Sequence, residues 1–159
     1  MDEILQLLSE DARLTPTQLA ERVGRPVAEV QEIIVKLEKG KVIRRYKTVI
    51  DWERAGVEHV FGFIEVRCSP QRGVGFDAVA ERVMEFPEVH SLYLMSGAYD
   101  FLVVVQGKTM REIAYFVAEK LAPLDNVMST ATHFVLKRYK VDGDIMIERS
   151  EVQRLPVTP

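Results

Sequence analysis

The chain has 159 residues, of which 47% are apolar, and its 21 basic and 24 acidic side chains give a net charge of −3. At about 100–200 residues per domain, this length suggests one ordinary domain or two small ones. No stretch approaches the ~20 consecutive apolar residues of a membrane-spanning helix. The acidic start Met1-Asp2-Glu3 lacks the basic region and apolar core of a signal peptide, and the single cysteine, Cys68, excludes an internal disulfide framework. We therefore expect a soluble, cytoplasmic protein.

The charge is distributed unevenly along the chain. Residues 1–50 carry 9 basic and 8 acidic side chains, whereas residues 51–159 carry 12 and 16. Between Lys36 and Lys47 there are six basic residues and one acidic residue, Glu38. A basic segment in an acidic chain can indicate contact with a polyanion, although cations at a helix end also complement the negative pole of the helix dipole.

The first fifty residues have the pattern of three short helices. Apolar residues at helical spacing in 4–8 predict the first helix. Thr15-Pro16-Thr17-Gln18 combines an N-cap, a proline at the first helical position and a glutamine at the third, so it predicts the start of the second. We expect that helix to end at Gly24. Pro26 then opens a third helix, which Gly40 closes.

Two helices joined by a short turn, after a leading helix, form the helix-turn-helix arrangement. The tight turn exposes one face of the last helix, which can then enter a DNA major groove. Small helical subdomains that serve dimerisation have the same pattern, so the motif alone leaves both functions open. Residues 42–50 are rich in β-branched side chains and predict a strand. Such a strand would make the unit winged, with its cations beside the phosphates.

The remaining sequence predicts a second domain. Residues 51–58 predict a linker, residues 59–142 alternate between strand and helix patterns, and residues 143–159 predict a frayed tail. The predicted order β-α-β-β-α-β is that of a ferredoxin-like sandwich, in which two helices cover one face of an antiparallel sheet. The fold class is therefore α+β, with a winged helix-turn-helix domain at residues 1–50 and a ferredoxin-like domain at 59–142.

One face of the predicted sheet is left without helices. We expect it to carry apolar side chains that are too large to leave in water, namely Phe61, Phe63, Leu92 and Leu94. A symmetric second copy of the chain is the simplest cover. We therefore expect a homodimer.

The combined pattern resembles the Lrp/AsnC (leucine-responsive, feast/famine) family of transcription regulators over roughly residues 1–140. The matching segments are 15–24, Lys36-Leu37-Glu38, Val42-Ile43, Phe86-Pro87-Glu88-Val89, 96–100 and 132–137. The segment Ser96-Gly97-Ala98-Tyr99-Asp100 resembles the family's G-x-y-D turn. The order and spacing of these segments carry the resemblance, since no single motif is decisive.

The resemblance implies a regulator that dimerises, assembles further into tetramers or octamers, and binds a small effector, usually an amino acid, near that turn. The implied effector site comprises Ser96, Gly97, Ala98, Tyr99, Asp100, Thr132 and His133. Backbone donors at Gly97 would suit an α-carboxylate, and Asp100 would suit an α-ammonium. An aspartate at a turn also caps its own backbone in many proteins, so a structural role for Asp100 remains open.

The predicted DNA contacts are Arg25, Gln31, Lys36, Lys39, Arg44, Arg45 and Lys47. Gln31 is suited to adenine, and the lysines to phosphate. The third helix departs from the family, because Ile33 and Val35 stand where arginine is frequent and Glu29 and Glu32 would repel phosphate. Lys41 occupies the family's usual turn glycine. These departures predict modest affinity per monomer, with avidity supplied by assembly.

Two other functions are considered. Some relatives of this architecture resemble siroheme decarboxylases, but the three histidines, His59, His90 and His133, form no His-Arg pair. No metal-ligand spacing or nucleophile–base pattern is present, so we expect no catalytic residues, metal or cofactor. The second is an effector-binding assembly module whose helix-turn-helix no longer binds DNA, as the acidic residues of the third helix suggest.

Overall fold

The structure is a computed structural model, and it describes residues 1–69 and 75–147. The chain divides into two compact units, Met1–Ile50 and Asp51–Pro159. Within the described ranges, no helix is both long enough and apolar enough to cross a membrane.

The first unit contains the three predicted helices, α1 (Asp2–Glu10), α2 (Pro16–Val23) and α3 (Val27–Lys39). Apolar side chains from all three helices and from the loop before α2 meet in one core. Its buried members are Ile4, Leu8, Leu14, Leu19, Ala20 and Val30. The helical spacing of these apolar positions creates the faces that meet there.

Both ends of α2 have the predicted signals. The Thr15 side chain accepts a hydrogen bond from the Gln18 backbone N–H at 3.3 Å, and the Gln18 side chain accepts one from the Thr15 N–H at 2.9 Å. This reciprocal pair is a capping box, as predicted. Gly24 ends α2 in the left-handed conformation, with φ of +64°, which glycine adopts without a Cβ penalty.

The C-terminal end of α3 differs from the prediction in one respect. Gly40 is the C-cap, as expected, but its φ is −74°. The left-handed residue is instead Lys41, with φ of +55°. Two backbone N–H groups, of Val42 and Ile43, then donate to the Leu37 carbonyl at 2.9 and 3.2 Å. The chain therefore reverses its direction at a lysine, in a backbone conformation that glycine would adopt without strain.

The strand predicted at 42–50 is wrong for this chain alone. Residues 44–50 are irregular and exposed. A strand needs a partner with which to form a hydrogen-bonded ladder, and the described part of the first unit contains no other strand. The β-branched composition of the segment does not replace that partner.

The second unit begins with a compact turn in the residues that were predicted to form a linker. The Val57 N–H donates to the Trp52 carbonyl at 2.9 Å, and the Trp52 and His59 rings meet edge to face with centroids 5.2 Å apart. The elements that follow have the predicted order. They are β1 (Val60–Cys68), α4 (Asp77–Met84), β2 (Val89–Leu94), β3 (Phe101–Gly107), α5 (Met110–Phe116), which continues as a π-helical turn (Val117–Leu121), and β4 (Val127–Phe134).

The four strands form one antiparallel sheet in the order β2-β3-β1-β4. Strand β1 lies inside the sheet, with Ile64 opposite Val103 of β3 on one side and Thr132 of β4 on the other. Its burial alternates from Gly62 to Cys68. This alternation separates a face covered by α4 and α5 from an open face.

The helix-covered face contains the core of the second unit. Its buried residues are Ile64, Val66, Cys68, Val79, Val83, Phe101, Val103, Val105, Ile113, Phe116 and Leu121. Leu92 packs against this core, opposite Val103, so its expected position on the open face is wrong. Leu94 is two residues further along β2 and pairs with Phe101. It therefore lies on the same side of the sheet as Leu92, and its expected position on the open face is also wrong. The misplacement arises because the sequence pattern does not reveal which face of β2 meets the helices.

The open face carries Phe61 and Phe63, as predicted. The guanidinium of Arg138 lies over the Phe61 ring at 4.8 Å from its centroid, so the chain itself covers part of this face. Phe63 remains 38% exposed and Tyr93 52% exposed. The unpartnered apolar surface is therefore smaller than predicted and is centred on Phe63.

The last strand of the sheet, β4, ends at Phe134. A short hairpin follows, with two residues in each strand: β5 (Lys140–Val141) and β6 (Asp144–Ile145). Its turn consists of Asp142 and Gly143, with φ of +49° and +98°. The tail predicted to be frayed therefore begins as a hairpin. Residues 148–159 of that tail lie outside the described residues, as do residues 70–74.

The two left-handed positions of the first unit predict opposite effects on stability. Replacing Lys41→Gly removes a conformation that costs an ordinary residue about 1 kcal/mol. The Gly24→Ala substitution forces a residue with a Cβ into the same conformation, at a similar cost. We expect the free energy of unfolding of the first unit to rise by about 1 kcal/mol in the first variant and to fall by about 1 kcal/mol in the second. Urea denaturation of the full chain, followed by helical circular dichroism, measures both, and unchanged stability in Lys41→Gly would contradict strain at this residue.

Candidate functional site

The outer face of α3 carries three of the predicted DNA-contacting residues. Gln31, Lys36 and Lys39 are exposed and line one shallow surface groove. Ala28, Glu32, Val35 and Gly40 complete its lining. Since these positions recur every three or four residues, they form a stripe along the helix, opposite the buried residues Val30 and Leu37. The structure therefore brings these predicted residues together.

Arg25 precedes α3 and is already engaged within the chain. Its Nη1 atom lies 2.6 Å from Oε1 of Glu29, and both side chains are 45% exposed. Of the expected departures from the family, Ile33 is not on the outer face, because it packs against the core of the first unit. The outer face therefore combines apolar, amide, acidic and basic side chains, and its two lysines lie in its C-terminal half.

The other predicted DNA contacts follow α3. Arg44, Arg45 and Lys47 are exposed in the irregular segment. The Ile43 side chain packs against the core and anchors the start of this segment. A second anchor, which the sequence analysis missed, is Tyr46, whose hydroxyl donates to Oε1 of Glu38 at 2.9 Å. The two anchors keep the cationic side chains next to the C-terminal end of α3.

The Tyr46 contact also affects ionisation. Burial raises the pKa of the Tyr46 hydroxyl, and the hydrogen bond to Glu38 and the Glu38 charge raise it further. The hydroxyl therefore remains protonated at neutral pH and can continue to donate to Glu38. The eight-residue separation of a tyrosine after a helix and a glutamate near its end was the available sequence signal.

The predicted effector turn connects β2 and β3. Ser96, Gly97 and Ala98 are exposed, while Tyr99 and Asp100 are half-buried. Gly97 has φ of +134°, in a region that strongly favours glycine. The Met95 N–H donates to the Asp100 carbonyl at 2.7 Å and closes the turn. The turn is thus a defined loop with exposed backbone near its tip.

Asp100 holds the base of this turn against β1. Its backbone N–H donates to the Val66 carbonyl at 3.0 Å, and its Oδ2 accepts from the Cys68 N–H at 2.8 Å. The Asp100 carboxylate thus accepts a hydrogen bond from the neighbouring strand β1, at the point where the ladder between β1 and β3 ends. It does not cap the backbone of its own turn. The structural role left open in the sequence analysis is therefore present, in a different form.

The same carboxylate influences Cys68. Burial raises the pKa of the Cys68 thiol, and the nearby Asp100 charge raises it further. The thiol is therefore protonated at neutral pH and is buried in the core. A protonated, buried thiol is a poor nucleophile.

Thr132 and His133 are not brought to the turn within one chain. Thr132 lies opposite Ile64 and His133 opposite Phe63, so adjacent residues of β4 point to opposite faces of the sheet. Asp100 bonds instead to Val66 and Cys68, an offset of about 10 Å along the strands at about 3.3 Å per residue, with β1 between. The His133 ring lies on the open face, where its Nε2 is 3.3 Å from Oε1 of Glu65.

A cavity that the sequence analysis missed lies at the other end of β3. Its volume is about 260 Å³, and Glu88, Gly107, Glu112, Phe116 and Lys120 are among its lining residues. Lys120 Nζ is paired with Oε1 of Glu88. Oε2 of Glu88 is buried and has no hydrogen-bond partner within the described residues. Because Oε1 is occupied and Oε2 is inaccessible, this carboxylate does not present a free oxygen to a ligand.

Opposing effects act on the pKa of Glu88 in this pair. Burial alone would raise the pKa of Glu88, but the hydrogen bond from Lys120, a backbone hydrogen bond and the Lys120 charge together lower it below its usual value. Glu88 is therefore ionised at neutral pH and stabilises the position of Lys120. In the part of the chain that the structure describes, no three His, Cys, Asp or Glu side chains are grouped as a metal site.

Two family models match the chain. The Lrp/AsnC ligand binding domain matches residues 62–145, and a winged helix-turn-helix DNA-binding domain matches residues 3–44. The first covers the sheet with its turn, and the second covers the helices that present the outer face of α3. The predicted helix-turn-helix and ferredoxin-like fold is thereby confirmed.

Similar sequences and a similar solved structure also belong to transcriptional regulators. An uncharacterised HTH-type transcriptional regulator of Bacillus subtilis, YugG, is 49% identical over 99% of this chain and 95% of its own. A proline dehydrogenase transcriptional activator of Rhizobium radiobacter is 30% identical over 89% of this chain and 90% of its own. A Neisseria meningitidis transcriptional regulator, solved as its L-Met complex, is 28% identical with a TM-score of 0.71, over 87% of this chain and 89% of that one. The chain belongs to the Lrp/AsnC family of transcriptional regulators.

Proposed function

We propose that this regulator binds double-stranded DNA through the outer face of α3 and the cationic segment after it, and that an amino-acid effector bound at the turn 96–100 controls its assembly. The observation that carries the DNA part is the grouping of exposed cations at one end of α3. These cations are Lys36, Lys39, Arg44, Arg45 and Lys47. Such a regulator acts in the cytoplasm, and the names of its relatives favour regulation over catalysis.

The DNA-binding charge is concentrated in a small area. The first unit has a surplus of only one basic residue, and Glu29 neutralises Arg25. The remaining cations flank the C-terminal half of α3, where they would contact phosphates on either side of a major groove. A single unit therefore binds weakly, and simultaneous binding by two or more units supplies the affinity.

A triple substitution tests this surface. Replacing Lys36, Arg44 and Arg45 together with alanine removes three phosphate contacts. The slope of log Kd against log salt concentration should fall by about three for each DNA-bound unit, and affinity at moderate salt should fall more than about tenfold. Fluorescence anisotropy with DNA from the region upstream of the protein's own gene measures both quantities.

The matched control replaces Lys108, Arg111 and Lys140 with alanine. It removes the same charge from the second unit, so the net charge of the chain changes equally while the proposed contacts remain. Equal loss of binding in the two triple variants would contradict the surface. If even the unaltered protein binds no DNA at low salt, with or without amino acids, the alternative of an effector-binding module without DNA binding is favoured.

The effector part is supported by the chemistry of the turn. The exposed backbone near Gly97 can donate to a carboxylate, and Asp100 can accept from an ammonium through the carboxylate oxygen that Cys68 does not use. The complementary charges suit the two ends of a free amino acid. Since Thr132 and His133 lie about 10 Å away along the strands, they join this site only if a second copy supplies them. Effector binding and assembly are then coupled.

Removing the Asp100 charge tests the effector site. In Asp100→Asn the amide oxygen still accepts from Cys68, but the charge-assisted bond to the ammonium is lost, at about 1.5–3 kcal/mol. We expect the affinity for the amino acid found by a thermal-shift screen to fall about 10–100-fold in isothermal titration calorimetry.

Glu88→Gln is the matched control, because it neutralises a carboxylate at the cavity about 20 Å away along β3. Its amino-acid affinity should equal that of the unaltered protein. Full affinity in Asp100→Asn would contradict the turn as the effector site, and loss of affinity only in Glu88→Gln would place the effector in the cavity instead.

The open face of the sheet supports the proposed dimer. Replacing Phe63→Glu puts a charge at the centre of the remaining apolar surface, where burial against a second copy would be unfavourable. We expect sedimentation velocity to show dissociation into monomers. Met84→Glu, on the exposed side of α4, is the control and should leave the assembly intact, whereas a Phe63→Glu protein that remains fully dimeric would contradict this interface.

A further inference from the structure

The outer face of α3 contains two apolar side chains among its polar ones. Val35 is 45% exposed, and Ala28 is exposed seven residues earlier. Neither contributes to the buried core of the first unit. Both line the same groove as Gln31 and the two lysines, so the helix presents methyl groups within a surface that also carries phosphate-binding charge.

From this arrangement we infer that α3 reads thymine methyl groups with Ala28 and Val35 and one adenine with Gln31. This inference rests on the proposed function and specifies the DNA sequence that the surface selects. Thymine is the base that presents a methyl group in the major groove, where apolar side chains contact it. Glutamine pairs with the adenine edge in the same groove.

The spacing of the three residues fits stacked bases. At about 1.5 Å per helical residue, Ala28 and Gln31 are about 4.5 Å apart along the axis, and Gln31 and Val35 about 6 Å apart. Successive bases on one strand are about 3.4 Å apart. Side chains with this separation reach different base pairs, so each can contribute its own preference.

The charged residues argue against a guanine-centred target. The commonest specific contact for guanine is a bidentate arginine or lysine, and the stripe from Ala28 to Lys39 contains no arginine and carries lysine only in its C-terminal half. Arg25, just before the helix, is paired with Glu29 at 2.6 Å. Lys36 and Lys39 lie in the C-terminal half of α3, with the flexible reach to grip phosphate. Selectivity is therefore assigned to the methyl groups and the amide.

Replacing thymine with uracil tests the inference, because uracil lacks only the methyl group. A duplex is first selected by the full-length protein at low salt from a library with a random core. Its thymines are then replaced with uracil one at a time. Each contacted methyl should contribute about fourfold to Kd, since burial of one such group is worth about 0.8 kcal/mol. We expect at least two such positions beside an adenine whose substitution also weakens binding.

Two valine variants assign the effect to α3. In Val35→Ala, uracil at one of the sensitive positions should no longer weaken binding, whereas Gln31→Ala should relax the preference at the adenine. Val57→Ala is the control, since this valine has a similar exposure of 40% and lies in the second unit. It should retain the full uracil sensitivity.

The outcomes separate this inference from the function on which it rests. If the library yields no bound DNA at low salt, the proposed DNA-binding function fails. If selected DNA binds equally well with uracil throughout, the protein binds DNA but does not read thymine methyls, and the inference is overturned. Uracil sensitivity that persists unchanged in Val35→Ala would also overturn it, because it would then reflect DNA shape rather than this contact.

Discussion

The pairing of β1 with both of its neighbours determines the second unit. Ile64 is fixed between Val103 and Thr132, and a slip of one residue would turn every buried side chain of β1 to the open face. The same register places the turn 96–100 beside the end of β1, where Asp100 accepts from Cys68. It therefore positions at once the core, the exposed Phe63 and the carboxylate of the candidate effector site.

Features with a local cause could be predicted from the sequence. The capping box at Thr15, the end of α2 at Gly24 and the start of α3 at Pro26 depend on a few neighbouring residues, and each prediction agrees with the structure. The order of strands and helices also followed, because buried strands and amphipathic helices have different apolar periods. The candidate DNA residues on α3 share a face for the same reason, since helical spacing alone places Gln31, Lys36 and Lys39 together.

Features set by contacts distant in sequence could not be predicted. The side of the sheet on which Leu92 lies, and the distance of Thr132 and His133 from the turn, depend on a register that only the assembled sheet defines. A strand at 42–50 needs a partner that the described part of the first unit does not contain. The pairing of Glu88 with Lys120 joins residues 32 positions apart, so it left no local signal. Even the short-range contact between Arg25 and Glu29 was missed, because Glu29 was considered only in relation to phosphate.

That contact has a consequence for how the protein searches a genome. A phosphate that recruits Arg25 must first separate it from Glu29 in the first turn of α3, so the arginine would attract DNA of arbitrary sequence less than a free guanidinium would. The exchange is inexpensive because both side chains are partly exposed, and such pairs contribute only about 0–1 kcal/mol. On the proposed DNA-binding surface, the pair would shorten the residence time at irrelevant sites and would open easily at a site that engages the whole surface.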